Sequence, residues 1–123
     1  LEAGVQNLVT GVWAGKGNNQ SFNVTSTFTA GDTVTFQAYV YDRDGAPVEG
    51  ATYDLLITGP ESAVVTSGNT DVTGLAEATW NTKSAKGKSA GTAAGSYTAA
   101  TKGITANGYS WDTVETSTSF AIQ

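Results

Sequence analysis

The sequence predicts an all-β fold, a β-sandwich of about seven or eight strands with Greek-key connections. Three observations predict it. Short segments alternate apolar and polar residues with a period of two, and no segment repeats apolar residues at the three-and-four spacing of a helix. Clusters of Gly, Asn and Asp punctuate these segments at regular intervals. Composition agrees. The chain has 20 Thr and 10 Ser with only 14% charged residues, where globular domains average ~25% charged. Thr favours strands, whereas Lys and Glu favour helices. A closed barrel is the alternative the same pattern permits.

The elements follow in order. VQNLVTGVW is apolar and β-rich, and Gly11 interrupts it as the mark of a bulge or a switch between sheets. AGKGNNQ supplies a loose hairpin connection. In SFNVTSTF, Phe22, Val24 and Phe28 share one face, with Asn23, Thr25 and Thr27 opposite. Gly31-Asp32 starts the clearest strand, DTVTFQAYVYD, which alternates Val34, Phe36, Ala38 and Val40 with Thr33, Thr35, Gln37, Tyr39 and Tyr41. A turn at DRDG and a bend at PVEGA lead into ATYDLLIT, where Tyr53, Leu55 and Ile57 alternate with Thr52, Asp54 and Leu56. SAVVTS is a short strand closed by GNTD. GLAEATWNT places Ala76, Ala78 and Trp80 on one face, with Trp80 expected as the central core plug. Lys83 to Gly95 has no period-two order and reads as a long, mobile surface loop. SYTAATKGI is a strand containing Tyr97 and Ala99, and Asn107-Gly108 tips a turn. DTVETSTSFAIQ closes the chain, with Val114, Thr116, Thr118, Phe120 and Ile122 on one face.

The 123 residues suffice for one domain with a real core, burying roughly two-thirds of the surface an unfolded chain exposes. Cys and His are both absent. That removes disulfides, thiol nucleophiles, the commonest general base and the commonest transition-metal ligand. A net charge of -5 and a pI near 4.3 oppose binding to phosphate backbones or anionic lipid surfaces. No apolar run approaches the ~20 residues that span a bilayer, so neither nucleic acid nor direct membrane insertion is expected. The chain does not begin with Met and reads as an excised piece of a larger secreted or surface protein.

AGDTVTFQAYVYDRDGAPVEGATYDLLITGP, TSGNTDVTGLAEATW and GSYTAATKGITANGYSWD, taken together, resemble the bacterial immunoglobulin-like modules of the invasin and adhesin type. They also resemble the related carboxypeptidase-regulatory, transthyretin-like modules. The shared pattern is a D-x-G-x-P-V-x-G-A bend, a T-D-x-x-G-x-A turn, then G-x-Y-T and a late G-Y, covering roughly residues 28 to 123. The resemblance implies an immunoglobulin-like sandwich with a non-catalytic role, as a spacer or appendage whose partners are neighbouring domains of the same polypeptide. Tyr97 in GSYTA also resembles a tyrosine corner, whose hydroxyl bonds backbone across the turn. The acidic residue often found four positions earlier is Ala93 here.

Three kinds of chemistry are weighed. Asp42 and Asp44 in DRDG, with Asp71 in GNTD, offer carboxylates for calcium, which takes six to eight oxygens. The same residues are good turn formers, and the third acidic position and distal Glu of a complete calcium loop are missing. Tyr39, Tyr41, Tyr109 and Trp111, with Trp13 beside them, could present flat rings to a glycan or to another surface protein. Alternatively a loop or neighbouring module covers the first two, and Trp111 lies half-buried. Catalysis is poorly supported. A Ser-Lys pair drawn from Ser84, Lys86, Lys88 and Ser89 would sit on a loose loop, and nothing singles out two acids for glycoside cleavage. Lys83, Lys86 and Lys88 lack arginine and interleaved aromatics, so a solvated loop is the better reading than nucleic acid. Two functions therefore stand as expectations: an extracellular structural accessory module, and a carbohydrate-binding module using exposed aromatics.

Overall fold

The computed structural model describes residues 1–123. The chain is all-β, with two sheets packed on a common core and one 3-10 turn, Gly17–Asn19, as its only helical element. Ten strands form: β1 (Glu2–Ala14), β2 (Ser21–Val24), β3 (Thr27–Phe28), β4 (Thr33–Asp42), β5 (Thr52–Thr58), β6 (Ala63–Thr66), β7 (Leu75–Asn81), β8 (Gly95–Thr105), β9 (Ser110–Trp111) and β10 (Ser117–Ile122). The first sheet runs β2-β1-β4-β7, with β9 pairing the start of β1, and the second runs β3-β10-β8-β5-β6. The excess over seven or eight comes from short edge pieces, β3 and β9 having two residues each.

Period-two alternation places the core. Val34, Phe36, Ala38 and Val40 of β4 are fully buried, as are Tyr53, Leu55 and Ile57 of β5. Phe120 and Ile122 of β10 and Tyr97 and Ala99 of β8 complete the second inner face. The rings interlock: Phe120 meets Phe28 and Phe36 edge-on at 5.9 and 5.8 Å and stacks on Tyr97 at 5.5 Å. Offset and edge contacts of this kind add to the area they bury. The Tyr53 hydroxyl, buried with its ring, donates to the Ala76 carbonyl at 2.7 Å and so bridges the two sheets. Burial, reinforced by the negative charge of Glu77, pushes its pKa well above the ordinary phenol value.

Four expectations change. Trp80 is not the central plug. It is only partly buried and packs edge-on against Tyr97 and Phe120 from the end of the core. Tyr53, Tyr97 and Phe36 fill the centre instead. Gly11 marks neither a bulge nor a switch, since β1 runs straight through it. A methyl there would strike the Phe22 ring and the Asn23 carbonyl, so glycine is needed to let β2 approach. The bulge lies earlier, where Asn7 and Leu8 together oppose Ala38, and Asn7 takes φ 60, a left-handed conformation that Asn tolerates. Phe22, Val24 and Phe28 do not share a face, because the chain leaves the first sheet after Val24 and joins the second at Thr27. Phe28 enters the core while Val24 is 70% exposed. Val114 is exposed as well, the last strand beginning only at Ser117.

Pairing registers fix the direction of each strand. β4 ends at Asp42 beside Ala3, near the start of β1, and Leu1 accepts the Ser110 N–H there. β10 ends at Ile122 beside Gly95 and Phe28, next to the start of β4 and β8. The first and last strands therefore open and close at opposite ends of the two layers.

Candidate functional site

At the Asp42 end of the molecule, turns dominate. Asp42 Oδ1 accepts the backbone N–H groups of Asp44 and Ala46 at 2.9 and 3.0 Å, an Asx turn that closes DRDG. Asp71 Oδ1 accepts the Thr73 hydroxyl at 2.6 Å and the N–H groups of Thr73 and Leu75 at 2.8 and 3.1 Å. The Thr73 hydroxyl first, and then these N–H groups, hold the Asp71 carboxyl below its ordinary value. The two turns are neighbours: Val40 N–H donates to the Gly74 carbonyl at 2.8 Å, and a side chain at Gly74 would strike Val40 and Pro47. Asp44 is exposed. Asp42, Asp44 and Asp71 do not gather as a group of three that could hold a metal ion. The Asp42 and Asp71 carboxylates each serve the backbone of their own turn.

The four aromatic candidates divide. Tyr39 and Tyr41 lie two residues apart on the outward side of β4 and stack at 5.7 Å, with ring planes 5° apart. Both are half-buried. Tyr109 follows the Asn107-Gly108 turn, is half-buried and packs against the core. Trp111 sits on β9 opposite Ala3, and its indole N–H is buried without a partner. Tyr109 and Trp111 thus do not join Tyr39 and Tyr41 in one platform.

Sequence reasoning missed the most organised polar feature of the same outward face. Trp13, 47% exposed, donates its indole N–H to Glu77 Oε2 at 2.8 Å, and Gln37 donates its side-chain amide to the same oxygen at 2.8 Å. The indole therefore reaches from β1 across β4 to β7. Phe22 on β2 meets it edge-on at 5.4 Å. Beside it lies an open groove of about 610 Å³ lined by Trp13, Asp32, Thr33, Thr35, Glu77 and Thr79. The available signal was the outward register of Gln37 and Glu77, each two residues from a threonine on its own strand. Pairing β4 with β7 was needed to see that the two are directly opposite.

A second open cleft, about 620 Å³, lies at the same pole under the Lys83–Gly95 segment, with Trp80, Asn81, Glu61, Lys83 and Lys86 on its walls. That segment is pinned rather than featureless. The Thr82 hydroxyl accepts the Gly31 N–H at 2.9 Å, Thr92 Oγ1 accepts the Lys83 N–H at 2.8 Å, and Lys86 and Ser89 exchange backbone hydrogen bonds. No protein-family model matches the chain, and no curated protein or solved structure matches it significantly.

Proposed function

We propose that the chain is an immunoglobulin-like Greek-key module that acts, without catalysis of its own, as an extracellular spacer or stabilising element beside neighbouring domains of a larger secreted or surface protein. The observation that carries this reading is the placement of the two chain ends. β1 starts beside Asp42 and β10 finishes beside Gly95, at opposite poles of strands that run the length of the molecule. A polypeptide entering at one pole and leaving at the other sets what precedes and follows it apart along one axis. The strand order supports the topology: β1, β4 and β7 take the places of strands A, B and E, opposed by β10, β8, β5 and β6 as G, F, C and C′. The Tyr97 hydroxyl at the start of β8 adds to it by donating to Ala93, as a tyrosine corner does.

The test is mechanical. Set between two folded reporter domains, the chain should hold them at one separation, read by small-angle scattering as a narrow distance distribution. A distribution as broad as that of a Gly/Ser linker of equal length would overturn the spacer reading.

A further inference from the structure

We propose that the groove beside Trp13 on the outward face of β1, β4 and β7 is a binding site for a neutral polysaccharide chain. The face offers two kinds of surface that a pyranose ring needs at once. Trp13 provides a large, flat apolar plane with nearly half its surface open, suited to the C–H side of a sugar ring. Beside it runs a ladder of polar pairs set by strand register, Thr33 opposite Asn81, Thr35 opposite Thr79 and Gln37 opposite Glu77, of which the first and last are hydrogen-bonded to each other. Thr35 is buried and forms the groove floor. Both bonds to Glu77 fall on Oε2, so its other carboxylate oxygen carries neither of them. A carboxylate oxygen accepting from a hydroxyl makes a short, strong hydrogen bond.

The indole is also held before any ligand arrives. Its N–H is anchored to Glu77 and its edge rests on Phe22. Little side-chain freedom remains to be lost on binding. The size of the groove falls within the range of ligand sites. Most of its open area is apolar, from Trp13 and Val12, while the other five lining residues are polar or charged, a mixture that suits the C–H face and hydroxyl edge of a sugar. A wholly apolar protein surface would strip water from Asp32, Glu77 and the threonines without giving them partners. The acidic groups at its rim and the net charge of -5 disfavour anionic polymers. The site is distinct from Tyr109 and Trp111, and it does not depend on the spacer reading.

Affinity electrophoresis in gels containing neutral soluble polysaccharides (a β-glucan, a xylan, a mannan and starch), with a sulfated polysaccharide alongside, tests the proposal. At least one neutral polymer should retard the chain. Trp13→Ala and Thr79→Val should each weaken that retardation about tenfold or more, the loss of a stacked ring or a buried polar contact at this scale. Trp111→Phe should leave it unchanged, and melting curves establish that the variants are folded. Absence of retardation by every neutral polymer, retardation by the sulfated polymer alone, or neutral-polymer retardation that survives both groove substitutions would overturn it.

Discussion

The Tyr97 hydroxyl donates to the carbonyl of Ala93, four residues earlier, at 2.6 Å. The bond clamps the end of the Lys83–Gly95 segment onto the strand that follows it. The Tyr97 ring is buried against Trp80 and Phe120, so its hydroxyl has one well-defined partner. Tyr97→Phe keeps the ring and removes the bond. It should lower stability by about 0.5–1.5 kcal/mol, the net worth of one such hydrogen bond, measured as a shift in urea midpoint with unchanged slope. No change in the midpoint would mean that the clamp contributes nothing.

Gly11 makes a second prediction. Alanine there has no room beneath Phe22 and the Asn23 carbonyl. Gly11→Ala should cost about 1–3 kcal/mol, as overpacking does, and should loosen β2 from β1, read as faster amide exchange at Ser21–Val24. A neutral or stabilising result would show that the hairpin yields freely.

Trp80 and Phe36 separate centre from margin. Phe36 is fully buried between the sheets, while Trp80 is only partly covered. Phe36→Ala should cost about 3–5 kcal/mol, the range for a deleted core aromatic, and Trp80→Ala clearly less. The reverse order in denaturant melts would restore Trp80 as the central plug.

Alternation carried the sequence reading a long way. It placed Val34 through Val40 and Tyr53 through Ile57 correctly, because a residue in a half-buried strand reports its own face. It failed where the face depends on a partner distant in sequence. The period of Phe22, Val24 and Phe28 is interrupted only by Ser26, where the chain changes sheet. Trp80 has an inward register at the end of a strand, where the core runs out. The Trp13–Glu77 contact joins residues 64 positions apart, and no local pattern encodes it. Turn chemistry was legible in Asp42 and Asp71, where the side chain serves the backbone beside it.

Asp71 sets an acid limb. Its folded pKa lies below its ordinary value, so its contribution is present above the unfolded pKa and is lost as pH falls through the folded one. Asp71→Asn should remove that dependence, giving a shallower loss of stability below the ordinary carboxylate range in urea melts run at falling pH. Identical acid limbs for the two proteins would contradict the assignment. Tyr53 and Tyr97 act at the other extreme. Burial raises both, so their contribution is whole below the ordinary phenol value and is lost as pH rises past it. Phenolate absorbance should show Tyr53 withheld from titration until the protein unfolds, and Tyr97 titrating above the ordinary phenol value.

The most direct test of the account is the distance between its ends. The chain contains no cysteine, so Leu1→Cys and Gln123→Cys accept a dye pair without competing sites. β4 alone, ten residues long, spans roughly 33 Å at the rise of a strand. The account predicts a single narrow distribution of distances on the order of 30 Å or more. A distribution centred near ~15 Å, less than half a strand's length, would place both ends at one pole and contradict it.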